Sequence, residues 1–347
     1  MDFIGAFLYP WLKHEIFIKS PDQYKGIGSI LKLLKTLYGL KQAGHEWYEL
    51  LKKVLKEVGF VQADEDIDSC LFKHEKWDIV TCIHVDDCLV SYTDTTKYKK
   101  FLKVIKEKGF DFTESEKVLR ALGLKIVETE NTITIVQPAY VAHVLKELDL
   151  EEIVEKEAPP NWWCEATKEE DIKFDEGTYR TGIGCLAYLA RMTRPDIEQY
   201  VFHLATFVSN PSIKHWDAFV HLMGYLKKYH NLGITFDLLK KLWAFYVDAD
   251  WAGDSQTRKS TTGFIIQFMG GPLITKSVRQ RIVTTSSTSA EYCAFTDILK
   301  EIKNSKYKYE DIAIIGPVKK CKENRGIYTN IGLSLITNLL SKHNINF

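Results

Sequence analysis

Residues 79–92 read Ile-Val-Thr-Cys-Ile-His-Val-Asp-Asp-Cys-Leu-Val-Ser-Tyr, an apolar and β-branched run that two acidic residues interrupt. Strands favour β-branched and aromatic residues, whereas two neighbouring carboxylates weaken a buried strand. The pattern therefore predicts two strands joined by a tight turn at His84-Val85-Asp86-Asp87. An ordinary polar Asp-Asp turn has the same pattern, so this tetrapeptide alone does not distinguish a turn from a functional site.

The rest of the chain alternates between helical and strand patterns. Apolar residues recur at helical spacing over residues 30–58 and predict a helix that Gly59 ends. The remaining patterns predict a helix over 97–108, two strands within 119–137, and helices over 179–191, 195–208 and 214–229, with Pro195 and Pro211 in the first turns of the last two. The final third predicts strands at 242–251, 261–270 and 271–278, then a helix at 286–303 with a Ser/Thr cap.

Composition excludes several classes of protein. The 347 residues are 45% hydrophobic and 27% charged, which is typical of a globular chain and suggests about two or three domains. Forty-six basic residues balance 46 acidic ones, so net charge neither supports nor excludes a nucleic-acid partner. The seven cysteines are scattered without a CxxC, and the chain shows neither a signal-peptide pattern nor a membrane-length apolar run. We expect an intracellular protein without a membrane partner, in the cytoplasm (in a particle) or the nucleus.

Several motifs, in order and at matching spacing, resemble the reverse transcriptase of Ty1/copia-type retrotransposons: MDFIGAFL at 1–8, LLKTLYGLKQAGHEWY at 33–48, IHVDDCLVSY at 83–92 and LGLKI at 122–126. Further on, two stretches resemble the segment that joins this polymerase to its RNase H: YRTGIGCLAYLARMTRPDI at 179–197 and SNPSIKHWDAFVHLMGYLKKYHNLGITF at 209–236. Two later stretches resemble the RNase H itself: DADWAGDSQTRKSTTGF at 248–264 and VTTSSTSAEYCAF at 283–295.

The resemblance implies an α/β (α+β) fold with three parts. Residues 1–127 correspond to a reverse transcriptase palm, and residues 128–240 to a helical thumb or connection region that includes a linker at 155–178. Residues 241–347 correspond to an RNase H-like domain. Since Asp2 is the second residue, we expect the fingers region to be missing; the end at Phe347 predicts an incomplete RNase H.

The chemistry of polymerisation explains why carboxylates matter at the first turn. Two divalent cations are needed, and hard oxygen ligands suit Mg²⁺, with Mn²⁺ as the alternative ion. Adjacent strand residues point to opposite faces, so Asp86 and Asp87 cannot both bind the ions in the same way, and another strand must supply an acid. The resemblance implies that this acid is Asp2, that Asp2 and Asp86 bind the metal ions, and that Asp87 supports them. It also implies an RNA template, a DNA primer and dNTPs as partners.

Three further residues have open interpretations. The resemblance implies that Phe7 excludes the ribose 2′-hydroxyl and that Gln42 contacts the incoming nucleotide. Phe7 is equally explained as a core residue, and Gln42 as a solvated helix residue. The family usually has Tyr where this chain has His84, which departs from the pattern beside the primer end.

The resemblance implies a second set of carboxylates, for cleavage of an RNA–DNA hybrid. Asp248 would lie in the first strand and Glu291 in the first helix of the RNase H-like domain, and both would bind Mg²⁺. A third acid is expected at the end of the fourth strand, which matches residues 325–332. Thr329 and Asn330 stand there, and neither carries a charge. The run Arg258-Lys259-Ser260-Thr261-Thr262-Gly263 is interpreted as a phosphate contact or a solvated turn.

Two hypotheses follow, with a third outside the family. The chain is either a polymerase and RNase H fragment, or a catalytically inactive relic that at most binds RNA and DNA. A metal-dependent phosphatase with clustered acids would show the same carboxylates but not the ordered motifs. The oligomeric state is left open.

Overall fold

The computed structural model describes residues 1–20, 30–63, 69–115, 120–121, 123–161, 164–240, 243–254, 257–304 and 312–315. The fold is mixed α/β, as predicted, and is built largely from antiparallel sheets and helices. The chain divides into two compact units, Met1–Val118 and Leu119–Phe347. The second unit includes both the predicted connection region and the predicted RNase H-like region, so the boundary near residue 240 stays a prediction. No helix in the described part of the chain is long and apolar enough to cross a lipid bilayer.

The described part of the first unit contains eight strands: β1 (Asp2–Phe3), β2 (Trp11–Lys19), β3 (Ile30–Lys35), β4 (Val61–Gln62), β5 (Leu71–His74), β6 (Ile79–His84), β7 (Asp87–Tyr92) and β8 (Phe112–Thr113). Six of them form one antiparallel sheet in the order β4-β5-β6-β7-β1-β8, and β2 pairs with β3. The hairpin of β6 and β7 confirms the two strands predicted on either side of the acidic turn.

Two helices, α1 (Ala43–Val58) and α2 (Thr95–Glu107), pack on one face of this sheet. Their apolar residues share a core with alternate residues of the strands, because alternate residues point to the same face. The side chain of Asp94 accepts hydrogen bonds from the amides of Thr96 and Lys97 and so caps α2, which confirms the helix predicted over 97–108. The most buried members of the core are Phe3, Trp47, Leu51, Leu55, Phe72, Ile79, Phe101 and Ile105.

The helix predicted over residues 30–58 is wrong in its first part. Residues 30–35 form β3, which pairs with β2 in a register that places Leu31 opposite Ile18. Gly39 has a φ of 92°, a left-handed conformation that a continuous helix cannot contain, and α1 begins only at Ala43. Pairing with a distant strand thus overrides an apolar spacing that fits a helix locally. Gly59 ends α1 with a φ of 104°, as predicted.

The second unit contains two sheets and a group of helices. Strands β9 (Arg120–Ala121), β10 (Leu124–Glu128), β11 (Thr132–Val136) and β12 (Ile234–Asp237) form an antiparallel sheet. The helices are α3 (Pro138–Glu147), α4 (Glu176–Met192), α5 (Glu198–Ala205) and α6 (Ile213–Lys228). Their core buries Tyr179, Leu186, Leu189, Phe219 and Leu222 almost completely. The strand pair β10–β11 and the helices α4 to α6 confirm the predictions, whereas α3 was not predicted.

Two predicted details of this helical region are wrong. Pro211 is not in the first turn of α6, because Ser212 caps the helix and Ile213 is its first residue. The predicted linker, 155–178, ends too late, since the Asp175 side chain caps α4 and the helix begins at Glu176. The described part of the linker lies along α6: the amide of Lys156 donates to the carbonyl of Gly224 at 3.2 Å.

The second sheet of this unit consists of β13 (Trp243–Asp250), β14 (Thr261–Phe268), β15 (Gly271–Arg279) and β16 (Ile312–Ile315), and α7 (Ser287–Asn304) packs against it. Strands β13, β14 and β15 are antiparallel neighbours, whereas β16 runs parallel to β13. Strands β13, β14 and β15 and helix α7 confirm the elements predicted between residues 242 and 303. Strand β16 lies beside β13, and the match predicted for the fourth strand, 325–332, lies outside the described residues.

Candidate active sites

Backbone pairing brings the first carboxylates together. Asp2 and Asp87 are Cα partners in antiparallel β1 and β7, so their side chains lie on the same face of the sheet. The amide of Phe3 donates to the carbonyl of Asp86 at 2.9 Å, and the amide of Cys88 donates to the carbonyl of Met1 at 2.8 Å. Phe3 and Cys88 point into the core, which leaves Asp2 and Asp87 exposed on the opposite face. Asp2 is therefore an ordered strand residue beside the acidic turn.

The turn that carries Asp86 is held by a buried tryptophan. His84 and Asp87 are the last pair of the hairpin, so Val85 and Asp86 form its two-residue loop. The indole Nε1 of Trp47, from α1, donates to the carbonyl of Val85 at 2.6 Å. Trp47 is only 1% exposed, so this bond anchors the turn to the core. Val85 has a φ of 55°, a left-handed conformation that is unfavourable for a β-branched residue.

The carboxylates influence one another electrostatically. The pKa of Asp2 is raised above its ordinary value, first by partial burial and then by the negative charges of Asp86 and Asp87; the N-terminal ammonium opposes the shift. Asp86 has the larger effect of the two neighbouring acids. A raised pKa in a group of like charges indicates a place where a cation would relieve repulsion. Hard carboxylate oxygens are the donors that Mg²⁺ prefers.

The other residues predicted for this site are Phe7, Gln42 and His84, and they lie on different elements of the first unit. Phe7 is half-buried in a short 3-10 helix, and its ring packs against the ring of Tyr38 with centroids 4.9 Å apart. Its carbonyl accepts a hydrogen bond from the Thr36 hydroxyl. Gln42 is half-buried at the residue before α1, and its carbonyl accepts from the amide of Glu46 at 3.0 Å. His84 is exposed at the end of β6.

The second set of carboxylates lies on β13 and α7. Asp248 pairs with Gly263 of β14, and its side chain accepts from the amide of Ala249 at 2.9 Å. Val247, the preceding strand residue, points into the core against α7, so Asp248 faces the other way and is exposed. Glu291 is the fifth residue of α7 and is half-buried. The helix is capped as predicted, because Ser286 Oγ accepts from the amide of Ser289.

The loop that follows β13 is closed by its own polar contacts. The amide of Arg258 donates to the carbonyl of Asp254 at 2.8 Å, and the amide of Asp254 donates to the carbonyl of Lys259. The Arg279 guanidinium forms an ion pair with the Asp254 carboxylate at 3.0 Å, which ties the end of β15 to this loop. Arg258 is exposed with a φ of 53°. The basic pair Arg258-Lys259 thus belongs to a closed surface turn.

Two of the three hydroxyl residues after this basic pair, Ser260 and Thr262, are buried. Ser260 is fully buried; its hydroxyl accepts from the amide of Ala252 and lies 3.0 Å from the hydroxyl of Thr284. The indole of Trp251 donates to the carbonyl of Thr284 at 3.1 Å. These bonds join the loop after β13 to the segment that leads into α7. The Ser-Thr part of the motif therefore has a structural role that the sequence did not indicate.

Neither set of carboxylates forms a complete metal cage among the described residues. Within the described ranges, no group of three or more His, Cys, Asp or Glu side chains is arranged to hold one metal ion. Mg²⁺ is commonly bound by one or two protein carboxylates together with substrate phosphates, so the donor sets fit this ion. Thr329 and Asn330, where a third RNase H acid was sought, lie outside the described residues.

Comparisons with known proteins find similarity to reverse transcriptases and to transposon Pol polyproteins. A family model described as reverse transcriptase (RNA-dependent DNA polymerase) matches residues 1–161. The retrovirus-related Pol polyprotein from transposon TNT 1-94 of Nicotiana tabacum is 32% identical over 87% of this chain and 24% of that protein. The corresponding polyprotein from transposon RE2 of Arabidopsis thaliana is 30% identical over 87% of this chain and 21% of that protein. The chain thus spans about a quarter or less of the length of these relatives.

A solved structure shows a similar fold. The foamy viral protease-reverse transcriptase dRH, in complex with double-stranded DNA, aligns with a TM-score of 0.50 over 96% of this chain and 54% of that chain. The two sequences are 11% identical, so the likeness is one of fold alone.

Proposed function

Because this chain belongs to the reverse transcriptase family of Ty1/copia-type retrotransposon Pol polyproteins, we propose that its first unit supports RNA-directed DNA synthesis. The substrates would be an RNA template, a DNA primer and dNTPs. The observation that best supports this proposal is the pairing of Asp2 with Asp87 beside the Asp86 turn, where burial and then the charges of Asp86 and Asp87 raise the pKa of Asp2. A simple polar turn would not need a third acid on the adjoining strand.

Asp2 and Asp86 would hold Mg²⁺, and Asp87 would add negative charge beside them. When bound, the ions would activate the primer 3′ oxygen and hold the dNTP triphosphate. The chain itself contributes position: β1 and β7 fix two of the carboxylates through backbone hydrogen bonds, and Trp47 fixes the turn that carries the third. Because these carboxylates are already in position, the protein needs little structural reorganisation to reach the transition state.

Phe7 and Gln42 would define the nucleotide pocket. The ring of Phe7 is held between the sheet core and Tyr38, so it has little freedom to move aside for a 2′-hydroxyl. Gln42 precedes the first turn of α1, and its side chain makes no capping hydrogen bond to that helix. Phe7→Ala would then admit ribonucleotides, whereas a purely structural Phe7 would change stability without changing sugar selection.

Primer extension on an RNA template tests the polymerase proposal. We expect incorporation that requires Mg²⁺ and falls by about two orders of magnitude or more in Asp86→Asn, because a bound metal ion contributes several kcal/mol to such reactions. Glu107→Gln, which removes an exposed acid at the far end of α2, is the matched control and should retain activity. Incorporation that Asp86→Asn leaves unchanged, or its absence from the folded chain, would refute the proposal.

A second candidate function concerns the sheet that carries Asp248. Asp248 and Glu291 would hold Mg²⁺ against an RNA–DNA hybrid, and the absence of a carboxylate at Thr329 and Asn330 favours binding without cleavage. Backbone phosphate contacts are spread over many cations and weaken with salt. We expect hybrid affinity to fall steeply between low and moderate salt, and an affinity indifferent to ionic strength would exclude a groove of phosphate contacts.

A further inference from the structure

A buried amide links the strand and the helix that carry the second pair of carboxylates. Gln280 follows β15 directly and is 5% exposed. Its Nε2 donates to the carbonyl of Ala290 at 2.9 Å and to the hydroxyl of Thr262 at 3.1 Å. Its backbone amide donates to the carbonyl of Ser260 at 2.8 Å. The side chain therefore joins β14 to the first turn of α7.

The two partners of this amide lie next to the two carboxylates. Thr262 is the Cα partner of Ala249, which follows Asp248 on β13. Ala290 precedes Glu291 on α7. One side chain thus spans from the strand beside Asp248 to the residue before Glu291. Any change in its length or hydrogen bonding shifts the helix relative to the strand at the level of these acids.

The orientation of the amide is fixed. The carbonyl of Ala290 only accepts hydrogen bonds, so Nε2 must face it. The amide oxygen, Oε1, is buried and has no hydrogen-bond partner among the described residues, an arrangement that generally costs stability. An apolar side chain of the same length would avoid that cost. Gln280 therefore costs stability at a place beside two carboxylates. A role in positioning those carboxylates explains its presence better than packing does.

We propose that Gln280 is a positioning residue that sets the separation between the carboxylates of Asp248 and Glu291. The inference rests on the proposed binding of a divalent cation by these two acids. Gln280 does not touch the ion in this account; it acts through Thr262 and Ala290. Outer partners of metal ligands commonly change metal affinity by about 10-fold to 100-fold when they are replaced.

Mn²⁺ binding to the full chain, followed by electron paramagnetic resonance, tests the inference. All variants include Asp86→Asn and Asp87→Asn, which remove two of the three acids of the first set and so weaken its contribution to the measurement. Asp248→Asn then defines which binding belongs to the second pair. We expect Gln280→Met, which keeps the length of the side chain but removes its donors, to weaken the Asp248-dependent binding about 10-fold. Thr262→Val, which removes only one acceptor, should weaken it in the same direction.

A purely structural role is separated by a control in the same helix. Ile298, two turns beyond Glu291 and 2% exposed, is replaced by Ala, which lowers stability without altering the link. We expect Ile298→Ala to lower the Tm and leave the Mn²⁺ affinity unchanged. Asp248-dependent affinity that is equal in Gln280→Met, Thr262→Val and the parent would overturn the inference while leaving the cation site intact. If Asp248→Asn removes no Mn²⁺ binding, the proposed site itself fails and the inference fails with it.

Discussion

Asp2 and Asp87 stand directly opposite each other on paired antiparallel strands, with Asp86 in the adjoining turn. Like charges in this position destabilise a sheet by about 0.2–1 kcal/mol, so the chain keeps a repulsion that its fold does not need. A divalent cation removes that repulsion. The pair is therefore better understood as an ion site than as part of the framework.

Replacing one of these acids should stabilise the metal-free protein. We expect Asp87→Asn to raise the free energy of unfolding in EDTA at pH 7 by a few tenths of a kcal/mol up to about 1 kcal/mol. Mg²⁺ should then stabilise the parent more than the variant, because a ligand that binds only the folded state stabilises it. Urea unfolding with and without Mg²⁺ measures both effects, and Glu107→Gln serves as the exposed-acid control. A less stable metal-free variant would contradict the expectation.

The same repulsion predicts a pH dependence. Burial and then the charges of Asp86 and Asp87 raise the pKa of Asp2 in the folded state, so the destabilisation is absent below the ordinary value of 3.8 and develops as the pH rises from there to the raised pKa. The stability advantage of Asp87→Asn should therefore disappear when unfolding is measured in more acidic buffer. An advantage that is constant from pH 7 to below pH 4 would show that charge is not its cause.

Trp47 should matter more to the turn than its place in the core suggests. Trp47→Phe removes the part-buried hydrogen bond to the Val85 carbonyl, at a cost of about 0.5–1.5 kcal/mol. Urea unfolding measures the loss, and amide hydrogen exchange at Asp87 and Cys88 should accelerate because the turn loosens. Unchanged exchange at these amides would mean that Trp47 stabilises the core without holding the turn.

Val85 should be replaceable with a gain in stability. A β-branched residue at a φ of 55° costs about 1–2 kcal/mol, and glycine removes most of that cost while losing some conformational entropy. We expect Val85→Gly to raise the free energy of unfolding by up to about 1 kcal/mol in a urea titration. A clear loss of stability would show that the exposed Val85 side chain makes contacts that outweigh its backbone strain.

Hybrid cleavage by the second pair of carboxylates should be at background in Mg²⁺. Thr329 and Asn330 bring no charge to the place where a third ligand is expected, and fewer charged ligands hold the ions less tightly. Asn330→Asp, or Thr329→Asp if the register differs by one residue, should raise cleavage of a labelled hybrid. Strong cleavage by the parent chain that Asp248→Asn abolishes would show that another acid completes the site.

The sequence predicts the elements whose partners are close along the chain. The hairpin around Asp86 and the strands at 261–279 follow from local alternation of apolar residues. Residues 30–35 were misassigned because their spacing fits a helix, and only pairing with β2 decides for a strand. Pro211 was wrongly assigned to the first turn of α6, because Ser212 caps the helix and Pro211 precedes the cap.

The site residues that the sequence did not indicate are defined by tertiary contacts between different elements. Trp47 contacts Val85 across 38 positions, and no local pattern distinguishes it from the other apolar residues of α1. Gln280 lies only 10 positions before Ala290, yet its burial becomes evident only once β15 and α7 are in place. Gln280 stands between Arg279 and Arg281, so no local pattern marks it as buried.

The most direct test of the central claim, that Asp2 and Asp86 hold a divalent cation beside Asp87, is an electron paramagnetic resonance titration of Mn²⁺ in an Asp248→Asn background. The account predicts that adding Asp86→Asn weakens binding by about 10-fold or more, since affinity follows the number of charged ligands, while Glu107→Gln leaves it unchanged. Equal Mn²⁺ affinity with and without the Asp86 carboxylate, in a chain that remains folded, would contradict the account.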